Sequence, residues 1–282
     1  MTTPTISKLY ETHMHTPLCK HARGWPEEYA EVAIARGLSG IIVTCHNPMP
    51  DGFSPSVRMS PSEFPEYLSI VEQARESMAE RTEVRLGLEC DYFPGYESHV
   101  EKQTASAPLE YVLGSVHPQL GNYQAEFGGQ SVFDFQRTYF THLADAAETG
   151  LFDCISHPDL VKNCNPDDWD LDRIFDHILG CLDRIAGTDV AMELNTSGLH
   201  KRIQEFNPNA RMLAAMCERR IPVVIGADAH DPRRVGADFE TALEFIRAAG
   251  YERVSVFLDR KRHEIEIDTA LSRLKPLEES PD

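Results

Sequence analysis

Short apolar runs alternate with longer amphipathic stretches along almost the whole chain. Eight runs combine aliphatic and aromatic residues in a pattern typical of β-strands, at residues 8–12, 40–44, 84–88, 111–116, 152–155, 190–194, 222–227 and 253–257. The stretches between them place apolar residues three and four positions apart, which predicts helices at 27–37, 64–80, 131–150, 171–187, 207–220 and 238–250. This alternation indicates an α/β fold with a parallel sheet, either open or closed into a barrel.

Glycine, proline and asparagine mark several boundaries of these elements. Gly37 stands where a helix C-cap is expected, and Asn207 with Pro208 is expected to begin a helix, as cap and first helical residue. Residues 47–61 contain four prolines and predict one long loop. Because no stretch rich in glycine, proline or serine divides the chain, we expect one domain over residues 1–282, with a frayed tail at 274–282. The pattern leaves open whether residues 251–282 complete a barrel or pack outside it.

Histidines and carboxylates recur at the C-terminal ends of the predicted strands. They are His13 and His15 at the first strand, His46 at the second, Glu89 at the third, His117 at the fourth, His157 at the fifth, and Asp228 with His230 at the seventh. Residues two apart on a strand point to the same side, so each of the two pairs can converge on one centre. The C-terminal strand ends of α/β barrels form the active-site face, and imidazole with carboxylate is a ligand set for Zn, Fe and Mn. The pattern predicts a metal site at this face.

Composition limits the other possibilities. The 282 residues include 27 basic and 45 acidic side chains, and the net charge of −18 disfavours binding to nucleic acid and to anionic membranes. No apolar stretch approaches the roughly 20 residues of a membrane span, and the N-terminus lacks the pattern of a signal peptide, so we expect a cytoplasmic protein. The seven cysteines include no CxxC pair and are expected to be reduced.

Common catalytic motifs of other enzyme classes are missing from the strand ends. No GxSxG, P-loop or GxGxxG sequence follows a predicted strand. Cys19 and Cys45 have histidines nearby and could form a thiol–imidazole pair. Histidines and acids from six strands are more than such a pair requires, so we expect these thiols to contribute to packing or to support the metal site.

Seven motifs follow one another along the chain: HMHTPLCKH, TCHNP, GLECDYFPG, GSVH, SHPDLVK, ELNTSG and GADAH. In these motifs and their order the chain resembles the polymerase-and-histidinol-phosphatase (PHP) superfamily, and in particular its histidinol-phosphate phosphatase branch. The resemblance implies a single-domain, distorted (β/α)7 barrel of the TIM type. It also implies a phosphoric monoester hydrolase of histidine biosynthesis that hydrolyses L-histidinol phosphate with three divalent transition-metal ions, Zn, Fe or Mn.

The resemblance further assigns nine residues to these metals. It implies one ion bound by His13, His15, Glu89 and Asp228, a second bound by Glu89, His117 and His157, and a third bound by His21, His46 and His230. Two closely spaced cations make a bound water into hydroxide at neutral pH, and this hydroxide would attack phosphorus. Asp228 and His230 are also the catalytic candidates, because the leaving alkoxide needs a proton from one of them or from a bound water.

Basic residues on two strand-end loops are candidates for binding the phosphate group. They are Lys162 after SHPDL, and His200, Lys201 and Arg202 after NTSGL. Members of the histidinol-phosphate branch typically carry a GLRK-type run, whereas this chain has GLHKR, with its arginine two positions later. Asp51 and Asp91 are the acids considered for the ammonium group of histidinol.

Two alternatives to a histidinol-phosphate phosphatase stay open, and the shifted arginine favours the first. One is a PHP phosphoesterase for another small ester, such as a nucleotide or sugar phosphate, and the other is a noncatalytic metal-binding barrel. In each of the two enzyme cases the expected partner is a small-molecule phosphate ester, and the oligomeric state is not predicted.

Overall fold

The computed structural model describes residues 3–276 and contains nine strands and nine α-helices in that part of the chain. The strands are β1 (Tyr10–Glu11), β2 (Gly40–Val43), β3 (Glu83–Asp91), β4 (Tyr111–Ser115), β5 (Cys154–Ile155), β6 (Ala191–Asn195), β7 (Val223–Gly226), β8 (Arg253–Leu258) and β9 (Lys261–Glu266). The helices are α1 (Pro26–Ala35), α2 (Phe64–Met78), α3 (Glu97–Ala105), α4 (Gly121–Phe127), α5 (Val132–Glu148), α6 (Leu171–Ala186), α7 (Ala210–Glu218), α8 (Phe239–Ala248) and α9 (Ile267–Arg273).

One sheet runs through the fold in the order β1 to β9, so each strand lies beside its neighbours in sequence. The first eight strands are parallel, and β8 and β9 form an antiparallel pair. Helices follow most strands and cover the outside of the sheet, as strand–helix–strand connections require. The expected single α/β domain of the TIM-barrel type is confirmed.

The two ends of this sheet close differently. Beyond the C-terminal ends of β1 and β7, Met14 and Ala229 form a parallel bridge. The His15 N–H donates to the Ala229 carbonyl and the Ala229 N–H donates to the His13 carbonyl, each at 2.9 Å. Seven strands therefore complete a ring at this end, whereas β8 and β9 widen it at the other end, where Glu264 bridges to Thr5.

Apolar side chains fill the ring below its C-terminal end. Tyr10, Ile42, Tyr111 and Leu113 belong to a buried cluster with Val224 inside the sheet. A second, larger core lies between the sheet and the helices. Helix α6 shows why these helices form: its buried residues Ile174, Ile178, Cys181, Leu182 and Ile185 repeat at three- and four-residue spacing along one stripe. The interior packing positions the strand ends as one rigid rim.

The predicted strands and helices are confirmed, with additions where the sequence is polar. Each of the eight predicted runs contains a strand, but β9 was not predicted, because Ile265 is the only buried residue in KRHEIE. Helices α3, α4 and α9 were also missed. Helix α3 buries only Val100 and Gln103, too few for an apolar stripe. These elements are short or polar on most sides, so periodicity gives little signal.

The two predicted helix boundaries have different outcomes. Gly37 adopts φ +75° just after α1, and a Cβ there would lie 2.3 Å from the Arg273 carbonyl oxygen, so glycine is needed. The prediction that Asn207 caps α7 was wrong. Asn209 is the cap, with its side chain accepting from Met212 N–H at 3.1 Å, because the backbone of Asn207 pairs with Asn195 instead.

The C-terminal part of the chain completes the fold. Strands β8 and β9 extend the sheet, and α9 contacts α8 and β9. The predicted frayed tail lies largely outside the described residues, and at its start the Lys275 N–H donates to the Arg36 carbonyl. Within residues 3–276 no helix has the length and apolar character needed to cross a bilayer. All seven cysteines fall in the described part of the chain, and each is a free thiol.

Candidate metal centre

The nine residues predicted as metal ligands all lie at the ring-closed end of the sheet. His13 and His15 follow β1, His21 follows the turn after them, His46 follows β2, Glu89 lies within β3, His117 follows β4, His157 follows β5, and Asp228 with His230 follows β7. Two of them, His157 (φ +27°) and Asp228 (φ +50°), adopt left-handed backbone conformations that are rare for side chains of this kind. Such strain is typical of positions where surrounding structure holds a functional side chain.

Glu89 lies at the centre of this cluster. Its Oε1 is 3.2 Å from His157 Nε2, 3.4 Å from His13 Nε2 and 3.5 Å from His117 Nε2. Its Oε2 is 2.6 Å from His46 Nδ1. Burial alone would raise the pKa of Glu89, but the imidazoles, with His46 and His13 foremost, hold it well below its usual range. One fully buried carboxylate therefore faces histidines from four separate strand ends.

Two further groups of side chains converge beside Glu89. In the first, donor atoms of His13, His15 and Asp228 all lie within 4.8 Å of one another, and in the second the same holds for His21, His46 and His230. The His15 and His230 rings stack with centroids 3.9 Å apart, which joins the two groups. The first group contains three of the four residues of the first implied set, and the second has the same residues as the third implied set. The assignment of these residues to separate ions stays a prediction.

Hydrogen bonds fix the orientation of four of these imidazoles. Each donates from Nδ1 to an oxygen that can only accept: Glu193 for His13 (2.8 Å), Asp91 for His117 (2.7 Å), the Cys19 carbonyl for His21 (2.7 Å) and the Asp228 carbonyl for His230 (3.0 Å). With the proton on Nδ1, the neutral imidazole has its lone pair on Nε2 in each case. Carboxylate and carbonyl partners of this kind commonly orient metal-binding histidines.

The residues present fit a metal cluster. His13 Nε2 and His230 Nε2 are buried and make no hydrogen bond within the described chain. Buried polar atoms are rarely left in this state unless another group satisfies them. Imidazole nitrogens and carboxylate oxygens are suitable ligands for Zn, Fe and Mn. The arrangement therefore provides suitable donor atoms for divalent transition-metal ions.

A cavity of about 380 Å³ opens onto this cluster. Its walls are formed by His21, His46, His117, His157, Asp228 and His230, and by Val57, Arg58, Gln119, Leu120, Leu160, Ser197, His200 and Lys201. Its volume is that of a small-molecule site. The metal-site histidines thus lie on one wall, and a mixed apolar and polar wall faces them.

The four predicted phosphate-binding residues do not all reach the cavity. His200 and Lys201 line it; His200 Nε2 is 3.1 Å from Asp238, and Lys201 Nζ is 3.8 Å from Asp228 Oδ2. Arg202 points to solvent beside Asp167.

Lys162 serves the fold instead of the cavity. It is fully buried and donates to Asp159 at 3.1 Å and to the Phe206 carbonyl at 2.8 Å. A buried ammonium needs such partners, and here they hold the loop after β5 against the segment before α7. Neither Lys162 nor Arg202 is positioned to bind a phosphate in this cavity.

The other sequence candidates also lie outside the main cavity. Asp91 is buried behind His117, and Asp51 lines a smaller neighbouring cavity of about 260 Å³. Neither is therefore placed to meet an ammonium group beside the metal histidines. Cys19 and Cys45 are fully buried, and Cys45 accepts a hydrogen bond from Thr16 at 3.2 Å, in agreement with a packing role.

Glu193 is a functional candidate that sequence reasoning missed. It lies in β6, the one strand of the ring without a predicted ligand, and is fully buried. Besides His13, it accepts from the His157 N–H and from the Asn195 side chain, each at 2.9 Å. A charged residue inside the apolar run AMELN was the available signal, because buried carboxylates are rare without a specific partner.

Comparison with known proteins agrees with this geometry. A family model described as the PHP domain matches residues 11–197. The chain belongs to the PHP domain family. It is 40% identical to a probable histidinol-phosphatase of Deinococcus radiodurans, over 91% of this chain and 99% of that protein. It is 24% identical to a histidinol-phosphatase of Bacillus subtilis, over 82% of this chain and 97% of the relative.

A solved PHP structure shows the same fold. The histidinol phosphate phosphatase of Lactococcus lactis, in complex with zinc, L-histidinol and phosphate, aligns with a TM-score of 0.76 at 21% identity. The alignment covers 90% of this chain and 98% of that one. The similarity shows that the two chains share one fold.

Proposed function

We propose that residues 1–282 form one PHP-type phosphomonoesterase domain that hydrolyses L-histidinol phosphate to L-histidinol and phosphate in histidine biosynthesis. The main support is the convergence of seven histidines and two carboxylates around Glu89, in a chain 40% identical to a probable histidinol-phosphatase. The zinc, L-histidinol and phosphate in the Lactococcus lactis structure support the same chemistry.

The nine residues would hold three divalent ions, Zn, Fe or Mn. The sets are His13, His15, Glu89 and Asp228, then Glu89, His117 and His157, and then His21, His46 and His230. Bound there, divalent cations supply a nucleophilic hydroxide and positive charge for the phosphoryl oxygens. The buried carboxylates and carbonyls that accept from Nδ1 hold the imidazoles ready for these ions, so little reorganisation accompanies binding.

The remaining wall of the cavity would bind the substrate. Lys201 and His200 place basic groups at the mouth, where they would contact phosphate oxygens. The side chains of Val57, Leu120 and Leu160 offer apolar surface to the organic part of the ester and exclude water.

The proton for the leaving alkoxide would come from groups at the C-terminal ends of the strands. Asp228 and His230 both line the cavity, and Ser197 donates to Asp228 Oδ2 at 3.1 Å, which fixes that carboxylate. We propose that this proton comes from Asp228, from His230 or from a bound water that these two residues orient. General acid catalysis of this kind requires the donor within hydrogen-bonding reach of the leaving oxygen.

A second candidate, another small phosphate ester, has one observation in its favour. Among the described residues that line the cavity, Asp228 is the single carboxylate, and it belongs to the proposed ligand set. The ammonium group of histidinol would therefore have no dedicated acidic partner. A neutral alcohol, such as that of a sugar phosphate, would not need one.

A cytoplasmic location and the absence of nucleic-acid partners stay predictions.

The test is phosphate release from a panel of phosphomonoesters by protein loaded with Mn or Zn. Preference for L-histidinol phosphate, with kcat/KM above about 10⁴ M⁻¹s⁻¹, is the expected result. Faster hydrolysis of another ester would keep the metal chemistry and replace the substrate. Protein that binds close to three ions per chain but hydrolyses no ester would support the noncatalytic barrel.

A further inference from the structure

Arg58 is a buried arginine that the proposed chemistry does not use. It lies in the proline-rich loop of residues 47–61, and its side chain is only 2% exposed. One guanidinium nitrogen donates to the Asn47 carbonyl at 3.0 Å, and the other donates to Asp91 Oδ2 at 2.5 Å. Burying a guanidinium is costly unless its charge is paired with good geometry, so this position is specifically built.

Asp91 connects this arginine to the metal-site histidines. Its second oxygen, Oδ1, accepts from His117 Nδ1 at 2.7 Å. Donor atoms of Asp91, His46 and His117 lie close enough to hold an ion between them. However, both carboxylate oxygens of Asp91 already accept hydrogen bonds, one from Arg58 and one from His117. Asp91 therefore orients a ligand and is not itself placed as one.

We propose that Arg58 and Asp91 form a positioning pair that holds His117 with Nε2 toward Glu89 and so raises the affinity of the metal centre. The inference rests on the metal centre proposed above. A carboxylate on Nδ1 fixes the ring orientation and makes Nε2 a stronger ligand. Arg58 keeps that carboxylate in place, because a bidentate-capable guanidinium restrains it from the far side.

The loop that carries Arg58 is itself anchored. The Phe53 ring lies under the guanidinium, with its centroid 5.2 Å from Arg58 Cζ. Ser54 donates from its backbone and from its hydroxyl to the Asn122 side chain, at 2.9 and 2.8 Å. The loop after β2 thus reaches α4 and is tied to a ligand after β4, so its folded conformation supports the metal centre.

The experiment compares metal binding in Asp91→Asn and in the double variant Arg58→Met/Asp91→Asn with wild type. Zn affinity is measured by competition with a chromophoric chelator, and the cobalt-substituted proteins are compared by visible absorption. We expect about 10- to 100-fold weaker binding of one ion in Asp91→Asn, with an altered cobalt spectrum. The double variant removes both charges together, so it does not leave a buried unpaired guanidinium.

Asp153→Asn is the matched control. Asp153 is also a buried aspartate paired with an arginine, with Oδ2 2.6 Å from Arg260 Nε, but its contacts are with Arg260 and the Val112 N–H and include no metal-site histidine. The Asp153→Asn substitution is expected to lower the melting temperature and to leave Zn affinity unchanged. If Asp91→Asn binds Zn as tightly as wild type, the positioning pair is overturned but the metal centre is not. A wild-type protein that binds no metal would overturn the metal centre, and the pair with it.

Discussion

Replacing Gly226 by alanine tests how tightly the inner wall of the barrel holds His13. Gly226 is the last residue of β7 and faces the ring interior. A Cβ atom there would lie 2.3 Å from Glu193 Oε1 and 2.8 Å from His13 Cβ. Both distances are shorter than nonbonded carbon contacts allow. Because Glu193 is fully buried, the carboxylate must move away from its present partners.

The cost follows from the contacts that Glu193 would lose. It accepts from His13 Nδ1 at 2.8 Å, and from the His157 N–H and the Asn195 side chain at 2.9 Å each. A hydrogen bond to a charged group contributes about 1.5–3 kcal/mol, and overpacking a core costs about 1–3 kcal/mol. Losing one such bond with the overpacking gives a destabilisation of about 2.5–6 kcal/mol. The His13 ring is released at the same time, so metal binding weakens.

Equilibrium denaturation in urea and metal analysis after dialysis measure the two effects. Gly180→Ala is the matched control, because Gly180 lies inside α6 and a Cβ there meets nothing within 4 Å. That variant is expected to be more stable by up to about 1 kcal/mol, since alanine favours the helix. Its metal content should equal that of wild type.

A Gly226→Ala protein as stable as wild type, with full metal content, would refute the reasoning. It would mean that Glu193 can move within the barrel without losing its hydrogen bonds. A loss of stability with normal metal affinity would show that Glu193 contributes to folding but does not orient His13.

Three further predictions concern the proposed site. Glu89→Gln is expected to abolish turnover. Denaturation should show that the metal-free variant is less stable by about 3–5 kcal/mol, because several buried imidazoles lose their shared carboxylate. Lys201→Met should raise KM for the phosphate ester about tenfold, whereas Arg202→Met, outside the cavity, should leave steady-state kinetics unchanged. Burial alone would lower the pKa values of His15 and His117, but acidic neighbours raise them to about 9 and 10 in the metal-free protein. Metal must displace these protons, so calorimetry should show proton release at pH 8 and affinity that rises up to about pH 10; affinity that is constant above pH 7 would contradict these shifts.

Much of the fold and of the proposed ligand set could be predicted from sequence because six of the eight apolar runs are followed by a histidine or an acid of that set. His46, His117 and His157 lie two or three residues after buried strands, and the parallel arrangement brings such positions to one rim. The roles of Lys162 and Arg58 could not be predicted this way. Each role depends on a partner that is distant in sequence: Lys162 donates to the Phe206 carbonyl, and Arg58 donates to Asp91.

The bridge between Met14 and Ala229 determines when the site can exist during synthesis. Thr12 and Ile225, which bond across the same closure, are 213 positions apart in the chain. A nascent chain that has emerged only to residue 197, where the PHP family match ends, already contains seven of the nine proposed ligands but lacks Asp228, His230 and the strand that closes the ring. Contacts of such long sequence separation require a large loop closure, which slows folding. The complete set of proposed ligands exists only after β7 has joined β1, so full metal occupancy would report on completion of the barrel.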